Sequence, residues 1–194
     1  MTQTPDDAEI LSRDSKEISR WVRLEEVTVR MPGVAGAEIY HGVRVADSVS
    51  VLAMTPDGRF PIVQQFRPLI GAPTWELPSG FRDAGESGET AGVRELKEET
   101  GFGAARVVRL VEIFELPARL TSRLSLLFVL ASGTLGEAEP GMRLSLVDGA
   151  ELKRLAGAGA VAHPASMACL YAAAANAEVR AICAEHGFAA PPWL

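Results

Sequence analysis

Cysteine and histidine are scarce in this sequence: two of the former and three of the latter among 194 residues. Cys169 and Cys183 cannot supply the disulfide framework of a small secreted domain or the ligand pattern of a thiolate metal site. In one expected helix they would stand roughly 21 Å apart along the axis, too far to bond. They read as reduced thiols in a cytoplasmic protein. His41, His163 and His186 are isolated, and each reads as an ordinary structural residue. Positive charge is also short, with 19 Lys and Arg against 25 Asp and Glu and a net charge of −6. That balance argues against nonspecific binding to a nucleic-acid backbone, which needs clustered basic residues. The apolar run "LSLLFVLA" is far too short to cross a bilayer. The polar N-terminus "MTQTPDDAEILSRDSKEISR" has no signal-peptide core. No nucleic-acid or membrane partner is expected.

Several phosphate and hydrolase motifs are missing. "GFRDAGES" has the glycine spacing of a P-loop, but Glu86 stands where the lysine must be. There is no G-x-G-x-x-G after a strand, no H-E-x-x-H and no G-x-S-x-G.

What remains is a globular composition, 47% hydrophobic and 23% charged, long enough to bury a core. Residues 1–16 read as a flexible arm. Residues 17–46 carry two strands, "RWVRLEEVTVR" and "AEIYHGVRV". A domain over 47–190 opens with "SVSVLAM" and "RFPIVQQF", which flank the turn "TPDG" and suggest a hairpin. After "TWELPSG" comes a helix, then the strands "ARVVRLVEIFEL", "RLSLLFVL" and "RLSLV". Asp148 and Glu151 have capping-box spacing ahead of a short helix. A long helix is expected from about Pro164 to Glu185. Strands, one helix, more strands and then helices make an α+β chain.

The densest chemistry lies in "GFRDAGESGETAGVRELKEETGF", residues 80–102. Ser87 is the expected N-cap and Gly101 the left-handed C-terminal residue. On a helix from about 88 to 100, Arg94, Glu98, Glu95 and Glu99 fall at 0°, 40°, 100° and 140°. Ala91 and Gly92 fall on the same face, which suggests open space against a negative wall. Leu96, Thr100 and Val93 form the stripe for the core. Glu95 and Glu99 repel at i,i+4, Lys97 points elsewhere, and Arg94 reaches only part of the cluster. A hard divalent cation relieves such repulsion, because Mg²⁺ takes carboxylate oxygens and keeps waters for a substrate phosphate.

The same stretch meets G-x5-E-x7-R-E-U-x-E-E-x-G-U at Gly80, Glu86, Arg94, Glu95, Leu96, Glu98, Glu99, Gly101 and Phe102, and so resembles the Nudix hydrolases. The resemblance implies an α/β/α sandwich around a mixed β-sheet and cleavage of a nucleoside diphosphate linked to another moiety. It makes Glu95 and Glu99 metal ligands, Glu98 a further ligand or water-mediated partner, and the Ser79 carbonyl the completion of the site. Arg94 with Glu86 becomes a supporting ion pair. The cofactor implied is Mg²⁺, with Mn²⁺ able to replace it.

Beyond the box, "SRWVRLEEVTV", "VQQFRP", "WELPSGFRDAGE" and Pro117 resemble the ADP-ribose pyrophosphatase branch. In that branch N-terminal strands contribute to a homodimer. The resemblance makes Trp21 and Tyr40 adenine-stacking aromatics and Arg67 a substrate-holding residue. It places the general base in "GTLGEAEPGM", as Glu139 or Glu137. The implied reaction is Mg²⁺-dependent hydrolysis of ADP-ribose to AMP and ribose 5-phosphate. The alternatives are GDP-mannose, ADP-glucose or UDP-glucose as substrate, or a Nudix-fold sensor that binds a nucleotide sugar without cleaving it.

Overall fold

Strand β4 (Ser48–Met54) is buried along almost its whole length, and its alternating side chains sort into two separate cores. In the computed structural model, which describes residues 7–194, Val49, Val51 and Ala53 face one core while Leu52 and Met54 face the other. Strand β9 (Arg123–Ser132) runs parallel to β4 in the register Leu52↔Phe128 and repeats the sorting. Leu127, Val129 and Ala131 join the first core; Leu124, Leu126 and Phe128 join the second. A strand's period of two sends neighbours to opposite faces, so two apolar runs of this kind require cover on both sides. Helix α1 (Gly88–Thr100) supplies one cover through Ala91 and Leu96. Helices α2 (Gly149–Gly157), α3 (Pro164–Ala175) and α4 (Ala177–Glu185) contribute to the other.

The four-stranded sheet is completed by β7 (Ser79–Phe81), antiparallel to β4, and β8 (Gly103–Phe114), in the order β7-β4-β9-β8. A three-stranded sheet, β10-β5-β6, joins β5 (Arg59–Arg67), β6 (Ala72–Glu76) and β10 (Met142–Asp148). The expected hairpin between β4 and β5 is therefore corrected. The turn itself forms, with the Thr55 N–H donating to the Arg59 carbonyl at 2.8 Å. Beyond it the strands diverge, because β7 and β9 occupy the two edges of β4 while β6 and β10 occupy those of β5.

The expected single C-terminal helix is also divided. Asn176 has extended backbone angles, and its side-chain oxygen accepts from the N–H groups of Glu178 and Val179 at 2.9 and 3.1 Å. It ends α3 and caps α4, as an Asn followed by an acidic first turn does. Both cysteines are free and buried. Asp148 caps α2 by accepting from the Glu151 N–H at 2.8 Å.

Residues up to Ala46, together with Phe114–Arg123, form a second compact unit. Its antiparallel sheet joins β1 (Glu9–Ser19), β2 (Val22–Arg30) and β3 (Glu38–Arg44). The arm expected over residues 1–16 is thus a strand from Glu9 onward, paired with β2 from Glu9↔Arg30 to Ser19↔Val22; residues 1–6 lie outside the described part. Ile10, Ile18, Leu24 and Ile39 of this sheet are exposed. Among the described residues no helix is long and apolar enough to cross a membrane.

Trp193 closes the core beneath α2–α4. It is 3% exposed, meets Phe60 edge-on at 5.4 Å and Phe128 in a stack at 6.2 Å, and donates Nε1–H to the Leu170 carbonyl at 3.0 Å. Trp193→Ala is expected to cost roughly 3–5 kcal/mol of unfolding free energy in urea titration. Trp193→Phe, which keeps a ring and loses the indole donor, is expected to cost clearly less.

Candidate active site

Helix α1 is fixed at both ends before its carboxylates are placed. The Ser87 hydroxyl accepts from the Thr90 N–H at 3.1 Å, and Gly101 adopts φ 79° while its N–H donates to the Lys97 carbonyl. A Cβ on Gly92 would meet Leu127 at 2.4 Å and Val51 at 3.0 Å. Ala91 and Gly92 therefore do not leave space beside the acids, as the helical wheel suggests. They let the helix axis come down onto β4 and β9, which brings the next two turns against β7.

That approach takes the acidic face partly out of water. Glu99 is 5% exposed, and its Oε2 accepts from the Ser79 N–H of β7 at 3.1 Å. Glu95 lies over Gly80, where a Cβ would come within 2.3 Å of its carboxylate and would push that carboxylate out of its present position. Glu98 remains half in solvent. Burial pushes the Glu99 carboxyl up to about 8, outweighing the Ser79 hydrogen bond, with the charges of Glu95, Glu139 and Glu76 adding to the rise. Burial also raises Glu95, against the opposing pull of Arg94.

Arg94 balances the rest of the cluster. Its Nε and Nη2 donate to the two Glu86 oxygens at 3.1 and 3.0 Å, and Nη2 also donates to the Phe81 carbonyl at 2.9 Å. Nη1 donates to Glu95 at 2.7 Å and Glu98 at 3.0 Å. The guanidinium thus reaches further than the wheel suggests. Hydrogen bonds from Arg94 and from the Asp83 N–H hold Glu86 below the usual carboxylate range.

Arg94 holds Glu95 and Glu98, and no three His, Cys, Asp or Glu side chains among the described residues stand as a metal-ligating set. The donor chemistry nevertheless fits a hard divalent ion. It consists of carboxylate oxygens, and no basic side chain among the described residues lies within ion-pair distance of buried Glu99.

The other residues expected in the site fall in three places. Glu139 is close enough for its charge to raise both Glu95 and Glu99. Its loop is tied to α1, since the Gly136 N–H donates to the Thr100 carbonyl at 2.8 Å and a Cβ on Gly101 would meet the Gly136 nitrogen at 2.5 Å. Glu137 is exposed and makes no hydrogen bond or ion pair among the described residues. Arg67 forms a two-pronged pair with Glu76, a residue that sequence reasoning passes over inside "TWELP". The hairpin register reveals it: Arg67 pairs with Ala72, so Ala72, Thr74 and Glu76 share its face. In the N-terminal unit Trp21 is 59% exposed, with the Arg20 guanidinium 4.5 Å over its ring. Tyr40 is also exposed and donates its hydroxyl to Glu38 at 2.8 Å. Neither aromatic is packed into a core.

A family model described as NUDIX domain matches residues 44–160. The chain is similar to the ADP-ribose pyrophosphatase of Saccharomyces cerevisiae, 32% identical over 139 residues, covering 64% of this chain and 60% of that protein. It is similar to the ADP-ribose pyrophosphatase of Mycobacterium tuberculosis, 35% identical over 112 residues, covering 57% and 54%. The chain therefore spans 60% and 54% of the lengths of these two relatives. Among solved structures, that of an ADP compounds hydrolase matches with a TM-score of 0.75 at 20% identity, over 96% of this chain and 99% of that one. This last likeness bears on the fold.

The raised Glu99 carboxyl sets a pH dependence. Folding binds its proton more tightly than the unfolded chain does, so the stabilisation is complete below about 4.5 and is lost as pH rises through about 8. In chelator-treated protein the melting temperature is expected to fall between pH 6 and pH 8.5, by an amount reflecting about 1.4 kcal/mol per pH unit at most. Glu99→Gln is expected to flatten that slope in a differential scanning series.

Proposed function

This chain belongs to the Nudix family, and from that premise we propose that it hydrolyses the diphosphate bond of ADP-ribose, or of a closely related nucleoside diphosphate sugar, yielding AMP and ribose 5-phosphate. The observation that carries the reading is Glu99: a buried carboxylate, one helical turn from Glu95, with no cationic partner at contact distance among the described residues. Such a group is expensive unless a cation shares it. The ADP-ribose pyrophosphatases among the relatives support the choice of substrate, as does the ADP-sugar pyrophosphatase of Mus musculus, 35% identical over 94 residues and covering 43% of each chain.

In this reading Glu95, Glu99, Glu98 and the Ser79 carbonyl hold Mg²⁺, or Mn²⁺ in its place. When bound, the ion polarises a phosphoryl oxygen and neutralises developing negative charge. Arg94, anchored on Glu86 and Phe81, keeps α1 aligned with β7 and Gly80. Glu139 takes a proton from the attacking water, and Glu137 is the second choice for that base. The water oxygen forms a bond to phosphorus while the bridging oxygen departs with the other phosphate, so one water is consumed per bond broken. Arg67 grips a phosphate oxygen. Trp21 and Tyr40 offer exposed rings on which an adenine stacks. The apolar surface of the β1–β3 sheet supports a homodimer built through it.

The test is a panel of ADP-ribose, ADP-glucose, GDP-mannose and UDP-glucose with Mg²⁺, read as phosphate released after phosphatase treatment. Dominant turnover of ADP-ribose is expected. Tight binding without hydrolysis would instead identify a sensor. Glu99→Gln is expected to lower turnover by more than the roughly 100-fold that loss of an outer-sphere partner costs. Glu139→Gln is expected to lower kcat by about 10²–10⁴ with little change in metal affinity. If Glu137→Gln does this and Glu139→Gln does not, the base is Glu137.

A further inference from the structure

Outside the acidic helix the most heavily bonded buried charge in the larger unit is Glu76. It is 2% exposed and sits at the end of β6. Arg67 Nε donates to its Oε1 at 2.7 Å and Arg67 Nη2 to its Oε2 at 2.5 Å. The Thr74 hydroxyl donates to Oε1 at 2.5 Å, and His163 Nδ1 lies 3.7 Å from Oε2. Arg67 and Glu76 share a hairpin face but differ by four positions in register, so the arginine side chain is drawn back along the strand to reach its partner.

Two features separate this pair from a surface ion pair that only staples a hairpin. The first is what the fork leaves unused. A guanidinium has five N–H donors, and among the described residues Arg67 Nη1 makes no hydrogen bond, while the side chain stays partly exposed. One edge is clamped and the other is open. The second is location. Glu99 acts on the charge of Arg67, and Glu76 acts on that of Glu99, so the clamped arginine lies within electrostatic reach of the carboxylates of α1. Burial pushes Glu76 up, but the hydrogen bonds of Arg67 and Thr74 and the arginine's charge outweigh it. Glu76 is therefore held in its charged form against Arg67.

We propose that Glu76 is a positioning residue: it fixes the Arg67 guanidinium by one edge, in advance of binding, so that the opposite edge meets a phosphate oxygen of the diphosphate substrate. The inference rests on the reading given under Proposed function. An unanchored arginine gives up much rotamer freedom when it orders on a ligand. The β5–β6 hairpin carries that ordering in the folded protein, and Thr74 fixes Glu76 in turn.

The experiment measures affinity apart from turnover. Wild type, Glu76→Gln, Arg67→Ala and the double variant are titrated calorimetrically with inorganic diphosphate and with ADP-ribose, and KM and kcat are measured with Mg²⁺. Glu76→Gln is expected to raise Kd and KM about tenfold, the scale of losing a supporting partner, with kcat within about threefold. Its Mn²⁺ affinity by electron paramagnetic resonance is expected to match wild type. On the Arg67→Ala background the same substitution is expected to add less than twofold, because nothing remains to position. Should Glu76→Gln fail to fold by thermal melting, Glu76→Asp replaces it, keeping the charge while displacing the fork by one methylene. Affinity within twofold of wild type, or a tenfold loss that persists without Arg67, overturns the positioning role. A wild type inert toward the whole panel overturns the parent reading instead, while the coupling measured with diphosphate still judges Glu76.

Discussion

A carboxylate held almost out of water, beside another one turn away, is the constraint around which the larger unit is arranged. Glu99 cannot be relieved by Arg94, whose five donors are already divided among Glu86, Glu95, Glu98 and the Phe81 carbonyl. It is not relieved by solvent either. Among the described residues its one hydrogen bond comes from a backbone N–H of β7, which fixes where the carboxylate points without neutralising it. Raised proton affinity is what such a charge does when no cation is present.

Placing that charge requires a close helix–sheet contact, and the contact depends on very small residues. Gly92 admits Leu127 and Val51 against the helix, and Gly80 admits the Glu95 carboxylate. The sorting of β4 and β9 into two cores then matters for the site as well as for stability. If β4 faced solvent on one side, α1 would have no apolar surface to press against, and its acids would be an ordinary solvated stripe. In the acidic stretch Gly80, Gly88 and Gly92 serve distances, Gly85 serves a left-handed backbone, and Gly101 serves both.

Much of this was legible from residue types alone. Ser87, Gly101, Asp148 and the 3.6-residue period of α1 each announce a local structure whose cause lies within a few positions. The position of Ala91 and Gly92 on the acidic face was legible too, but its meaning was not. A wheel gives angles around an axis and says nothing of how near the next layer comes. The β4–β5 turn shows the same limit. "TPDG" encodes a reversal, while the partners of the departing strands are set by β7, β9, β6 and β10, tens of residues away. Asn176 could have been read as a cap, but the run of alanines before it favours helix strongly enough to mask the break. Glu76 was hidden because a strand's apolar alternation does not distinguish an inward carboxylate with a distant arginine from an outward one in water. The Glu139 loop offered composition only; its attachment to α1 through Gly136 is a backbone contact that residue type does not betray.

The second core draws on Leu52, Phe60, Phe128 and Trp193, contributions strung across most of the chain. Parallel pairing of β4 with β9 joins Leu52 to Phe128, also far apart in sequence. Contacts so far apart in sequence form slowly, because the intervening loop must be closed before burial rewards it. During synthesis, β4 and the carboxylate helix therefore emerge well before the segments that cover their sheet, and they wait with apolar surface showing until residue 193 has been added. The vulnerable moment in the life of this protein falls before its completion, in the interval when half of a two-sided sheet exists without its second side.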